Sequence, residues 1–160
     1  EAWVRVDAPH AWGGIIGAIQ DNGSYEKGWL LGVVNNRFSF ALNGKRGDDR
    51  LNYMSADQDF IPGQWYHLAA TYDGATMKLH VNGKVAATSN SQSGAVQYPP
   101  HAFYEIGAYH DDDEQFFTKG MVHEIRVYHR VLAWNEIKDH AGEPKFPPPE
   151  APAPVMELAS

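Results

Sequence analysis

Apolar and polar residues alternate along most of the chain in short runs, and turn residues separate the runs. The clearest case covers Trp65–Tyr72 and Met77–Val81, with Asp73-Gly74 between them and Asn82-Gly83 leading into a third run over 85–88. Asp-Gly and Asn-Gly reach the positive-φ conformations that a tight hairpin needs, so the spacing predicts a β-meander. Ala2–Val6, 14–19, 51–54 and 104–106 are further predicted strands. A hairpin is predicted over 29–34 and 38–42, turning at Asn35-Asn36. The run 121–128 is predicted as one strand, with Val122, Glu124, Arg126 and Tyr128 on one face and Met121, His123, Ile125 and Val127 on the other. Only 133–140 has helical spacing, carried by Trp134, Ile137 and Lys138. Many short strands and one late helix predict an all-β fold, an antiparallel sandwich or barrel with one short C-terminal helix.

After Gly142 the pattern stops. Glu143, Pro144, Lys145, Phe146 and Pro147 to Pro149 open a proline-rich stretch, so 1–142 is expected as the domain and 143–160 as a linker or tail. The chain starts at Glu1 rather than Met, which raises the expectation that a leader or a preceding domain was removed. At 160 residues, 43% hydrophobic, the chain is long enough for one real core. The formal net charge of −7, with no basic patch, argues against a nucleic-acid partner. No apolar run is long enough to span a bilayer. With no cysteine there are no disulfides or thiolate metal sites.

Several of these runs together resemble the laminin-G-like, concanavalin A-like jelly-roll domains, including a bacterial branch and the pentraxins. The residues that carry the resemblance are Glu1-Ala2-Trp3-Val4, Gly63-Gln64-Trp65-Tyr66-His67-Leu68-Ala69, Tyr72-Asp73-Gly74, Leu79-His80-Val81-Asn82-Gly83, Ile106-Gly107 and Glu124-Ile125-Arg126-Val127-Tyr128. Arg130-Val131-Leu132 and Glu136-Ile137 complete the set, which covers most of 1–142. The resemblance implies a jelly-roll β-sandwich. The chain departs from the pattern at His123, where the family usually has Asp, and lacks the strand pair that usually precedes the Glu-Ala-Trp strand. An uncovered edge there would be an aggregation liability.

The densest candidate chemistry is His110-Asp111-Asp112-Asp113-Glu114. Clustered carboxylates on a loop suit Ca²⁺, a hard cation that takes six to eight oxygens. In pentraxins the matching loop supplies calcium ligands, joined by an Asp-Asn pair from an early loop. The resemblance therefore implies a metal set of Asp21, Asn22, Asp111 and Asp113, with a solvated loop and a simple Asp21-Asn22-Gly23 turn as the alternative. Tyr109 and Phe116 flank the acidic run and, with Asp112, are the expected ligand contacts, because sugar rings rest on aromatic faces. Other candidates are Trp12, Tyr25, Trp29, Tyr53, Tyr98, Phe103 and Phe117, although core packing would claim many aromatics. Eight histidines occur without a His-Glu-x-x-His spacing, which argues against zinc. No strand carries the alternating carboxylates of the glucanases that share this fold, which disfavours a glycoside hydrolase. Arg46-Gly47-Asp48 reads as turn chemistry.

The expected function is therefore a non-catalytic binding or adhesion module of a larger extracellular or periplasmic protein. It would recognise carbohydrate or protein, with calcium as a candidate cofactor and other domains of the same polypeptide as partners. A structural spacer or interaction domain is the alternative.

Overall fold

Along the chain run β1 (Ala2–Val6), β2 (His10–Asn22), β3 (Tyr25–Asn35), β4 (Arg37–Leu42), β5 (Asn52–Ser55), β6 (Trp65–Tyr72), β7 (Met77–Val81) and β8 (Lys84–Ser89). Then come β9 (Glu105–Ile106), β10 (Ala108–His110), β11 (Gln115–Phe117), β12 (Gly120–His123) and the helix α1 (Trp134–His140). These elements belong to a computed structural model that describes residues 1–46 and 49–142. The proline-rich segment 143–160, and Gly47 and Asp48 of the Arg-Gly-Asp tripeptide, lie outside the described residues.

Two five-stranded antiparallel sheets face each other, one ordered β12-β1-β6-β7-β8 and the other β5-β4-β3-β2-β9. The fold is an antiparallel jelly-roll sandwich, and period-two alternation builds its core. Ala2, Val4 and Val6 from β1 and Leu68 from β6 point inward against Leu31 and Val33 from β3 and Phe38, Phe40 and Leu42 from β4. Phe38 is 1% exposed, and its ring centroid lies 5.0 Å from that of Phe60 and 5.1 Å from that of Tyr66. Truncating such a residue to alanine costs about 3–5 kcal/mol.

The turn readings are realised in the backbone. Asn82 and Gly83 have φ of 51° and 75°, and Asn35 has φ of 55°. Asp73 accepts hydrogen bonds from the N–H groups of Ala75 and Thr76 at 2.9 and 2.7 Å, which closes the β6–β7 turn.

The expected strand over 121–128 is not continuous. β12 pairs with β1 with Trp3 opposite His123 and Val4 opposite Val122. Just before β1, Glu1 and Arg126 exchange backbone hydrogen bonds at 2.8 and 2.9 Å, one residue out of that register. Glu124, at φ of 52°, absorbs the extra residue as a β-bulge. The bulge inverts the facing that simple alternation predicts. Ile125 turns in and packs against the core, and Arg126 turns toward the outer face.

The two edges of the sandwich differ. On one side β5 and β8 are tied together, with Ser89 Oγ donating to Asn52 Oδ1 at 2.8 Å and Asp57 N–H to the Ala86 carbonyl at 3.3 Å. On the other side β9 and β12 stand apart. Ile106 pairs with the buried Ile16, and Val122 with the buried Val4. Both therefore face the space between the sheets, yet they are 61% and 38% exposed. A cavity of about 410 Å³, lined by Leu31, Phe40, Ala70 and Val127 among others, opens between the sheets.

Candidate functional site

The outer faces of the two sheets are covered differently. Over the β1/β6 face lies α1, whose Ile137 packs with Leu132 and Ala69. Ala133 caps the helix with backbone in an extended conformation, and Glu136 reaches back to accept the Ala133 N–H at 2.7 Å. Glu136 also accepts two hydrogen bonds from Arg130 at 2.7 and 2.8 Å, and this pairing brings its carboxyl down to about 2.

Over the outer face of the other sheet lies the hairpin β10–β11, which alternation did not resolve from its acidic turn. Its strands are three residues each. Gly107, at φ of 77°, makes the bend from β9 into β10. Gly14 makes the fit possible, since a Cβ there would stand 1.8 Å from the Ala108 carbonyl oxygen. Under the hairpin a second apolar cluster forms from Leu30, Ala41, Leu51 and Tyr109, flanked by Ile19, Tyr53 and Phe116.

This packing settles where the expected ligand contacts sit. Tyr109 is 4% exposed and stacks against Phe116 at 5.8 Å, so its ring is part of the hairpin's packing and not a surface for a sugar. Phe116 is half-buried and lies 5.9 Å from the His10 ring. Asp112 is exposed at the turn.

Of the four expected metal ligands, Asn22 and Asp113 meet directly, while Asp21 and Asp111 each accept from a tyrosine. Asn22 Nδ2 donates to Asp113 Oδ1 at 3.1 Å, which joins the β2–β3 turn to the acidic turn. Tyr53 donates its hydroxyl to Asp21 Oδ2 at 2.6 Å, and Tyr109 donates to Asp111 Oδ2 at 2.7 Å. Burial first, and then these carboxylates, push both tyrosine hydroxyls well above their ordinary range. Asp111 Oδ1 accepts the N–H groups of Asp113 and Glu114 at 3.2 and 2.8 Å, so Asp111 holds the turn's shape. Among the described residues no ion pair involves Asp21, Asp111, Asp112 or Asp113. Nor do three His, Asp or Glu side chains among them converge as a ready metal cage. Asn22 Oδ1, however, is buried without a hydrogen-bond partner.

Beside this turn is a cavity of about 480 Å³. Gly17, Ile19 and Leu30 from the sheet line it, together with Ala108, Glu105 and Phe103. Asp112 and His101 line it as well. Phe103 is 66% exposed. Glu105 and His110 are joined at 2.6 Å between Oε1 and Nδ1, while Glu105 Oε2 is buried without a partner. No local motif in the sequence marks Glu105. It meets His110 only because Gly107 folds β10 back beside β9.

A second carboxylate cluster escaped the sequence reading altogether. The Glu1 side chain is 1% exposed. It accepts from Arg126 Nη1 and from the Tyr128 hydroxyl, both at 3.1 Å, and lies 2.9 Å from His140 Nδ1. His67, 1% exposed, stands 3.5 Å away, an ion-pair distance rather than a good hydrogen bond. Burial opposes ionisation of Glu1, but His67, His140 and Arg126 outweigh it and hold the carboxyl well below its usual range. Arg126 also pairs with Glu124, the bulge residue, at 2.8 Å.

Comparison with known proteins sets these features in a family. The chain is 34% identical over 110 residues to mouse pappalysin-1, a match that takes in 62% of the chain. It spans only 7% of that relative's length. A putative carbohydrate binding protein from Bacteroides ovatus shares the fold with a TM-score of 0.64 at 21% identity, over 86% of this chain and 38% of that one. A CBM40 module of the Ruminococcus gnavus IT-sialidase gives a TM-score of 0.70 at 15% identity, over 89% and 80% of the two chains. The family model described as the concanavalin A-like lectin/glucanases superfamily, Laminin G 3, matches residues 1–138, and the chain belongs to that family.

Proposed function

We propose that this domain is a non-catalytic carbohydrate-recognition module of a longer extracellular or periplasmic polypeptide, and that calcium supports its site. The observation that carries this reading is the placement of a lined cavity beside an acidic turn whose carboxylates face hydroxyl and N–H donors but no cation. Cavities of this size, apolar at the base with a few convergent polar groups, suit small-molecule ligands. The exposed Phe103 ring offers an apolar face for a sugar.

The residues present suit calcium. Oxygen ligands predominate, and the buried Asn22 Oδ1 has no partner. Turning that amide over would set its oxygen beside Asp113, which a shared cation favours and an empty site does not. Asp21, Asn22 and Asp113 would hold the ion, and Asp111 would shape the turn around it. The ion would neutralise the cluster and could accept ligand hydroxyls. Relatives add context: structures of the R. gnavus CBM40 module are described as bound to sialyllactose. No helix among the described residues is long and apolar enough to cross a membrane.

Thermal unfolding with calcium and with chelator, followed by calorimetry against a glycan panel, tests the reading. A calcium-dependent rise in Tm and saturable glycan binding are expected. Neither appearing would refute it. The exposed, inward-facing Ile106 and Val122 on the β9/β12 edge favour a second reading, a protein-interaction or spacer domain.

A further inference from the structure

The walls of the 480 Å³ cavity say which sugars fit, if the module recognises carbohydrate as proposed above. Its base is apolar, formed by Gly17, Ile19, Leu30 and Ala108. A side chain at Gly17 would crowd this base, because a Cβ there stands 2.7 Å from Leu30 Cδ1. Around it the polar groups are unevenly divided. Asp112 is exposed and free of ion pairs among the described residues. Glu105 gives one oxygen to His110 and keeps the other, Oε2, buried without a partner. Asp111 is already satisfied by Tyr109 and by its own turn. No lysine or arginine lines the cavity. The wall therefore presents spare acceptors and negative charge, with only Gln20 and the histidines His101 and His110 as donors.

We infer that this cavity takes an uncharged or ammonium-bearing sugar and rejects sugars that carry carboxylate or sulfate. Hydroxyl and ammonium groups donate to Asp112 and to the orphaned Glu105 oxygen. An acidic substituent meets the Asp112 and Glu105 carboxylates in a partly desolvated site that no lysine or arginine lines. Like charges so placed cost enough to separate the two classes by at least about tenfold in affinity. The same fold in the R. gnavus module is described with sialyllactose, an acidic sugar, bound. The present cavity is then the opposite solution on a shared scaffold.

The test is calorimetry of the intact chain at neutral pH against neutral, amino and acidic oligosaccharides, in calcium and again in chelator. Lactose and sialyllactose form one matched pair, and chitosan oligomers and their N-acetylated forms another. Neutral or amino sugars are expected to bind at least about tenfold more tightly than acidic ones wherever binding occurs. Asp112→Lys, at an exposed position, should narrow or reverse that preference, and Glu105→Gln should weaken the amino sugars most. Acidic sugars binding as tightly as neutral ones in either buffer would overturn the inference and leave the module a carbohydrate binder. No sugar of any class binding would instead remove the functional reading on which the inference rests.

Discussion

Glu1 and the acidic turn are both carboxylate sites, and they differ in what faces them. Around Glu1 stand Arg126, His140, His67 and a tyrosine hydroxyl, and the carboxylate is sealed from water. Around Asp21, Asp111 and Asp113 stand tyrosine hydroxyls, an amide and backbone N–H groups. Hydrogen-bond count alone would not separate the two. The sign of the surrounding charge does: one cluster is complete and ties β1 to α1, and the other is left negative.

The sharpest way to break this distinction is Glu1→Gln. It leaves Arg126 and two histidines facing a neutral amide. Removing one member of a buried pair costs about 3–5 kcal/mol, and Arg126 is 40% exposed, so a loss of about 3 kcal/mol is expected in denaturant unfolding. A change below about 0.5 kcal/mol, the scale of ordinary surface substitutions, would show that Glu1 is no anchor. Calcium comes next. At roughly a hundred times its dissociation constant it should stabilise the wild type by about 2.7 kcal/mol and leave Asp113→Ala unmoved. An equal shift in both proteins would place the ion elsewhere.

Acid separates the clusters by slope. The folded pKa of Glu1 lies below the unfolded value of 4.5. Its contribution is therefore complete above about pH 4.5 and falls by about 1.4 kcal/mol per unit as the pH drops below that, toward the folded value. The stability gap between wild type and Glu1→Gln should close over that window. A gap that holds constant down to strongly acid pH would contradict the pairing. Smallest is Tyr53→Phe, which removes one hydrogen bond to Asp21. About 1 kcal/mol of stability should go, read by thermal unfolding, with calcium affinity altered more than the fold.

The chain announced its sandwich because strand alternation and Asx-Gly turns are local. Asn82-Gly83 and Asp73-Gly74 act within four residues, and the period-two pattern of Trp65–Tyr72 survives any context. The β10–β11 hairpin was not legible, since three-residue strands give alternation too little length to show, and what holds them is the absent Cβ of Gly14, 94 residues before Ala108 in the numbering. The bulge at Glu124 was hidden for a related reason: a perfect alternating string says nothing about a residue that drops out of register. Asp21, Asn22, Asp111 and Asp113 were named from the resemblance, and the hydrogen bond between Asn22 and Asp113 brings their two loops together. Glu1 was invisible as a site because its partners lie at 67, 126, 128 and 140. Tyr109 illustrates the reverse case, an aromatic expected at a ligand surface beside the acidic loop that packs inward.

The span of the Glu1 contacts also bears on how the domain is made. β1 is the central member of the β12-β1-β6 trio, so the first strand of this domain to be synthesised is among the last to find both neighbours. Until residues 120–140 emerge, Ala2, Val4 and Val6 have β6 on one side only, and Glu1 has neither its arginine nor His140. Such contacts raise contact order and slow folding, and the waiting strand is a surface on which a nascent chain can pair wrongly. Synthesis speed through the last forty or so codons of this domain, more than through the first forty, should therefore decide the yield of folded protein.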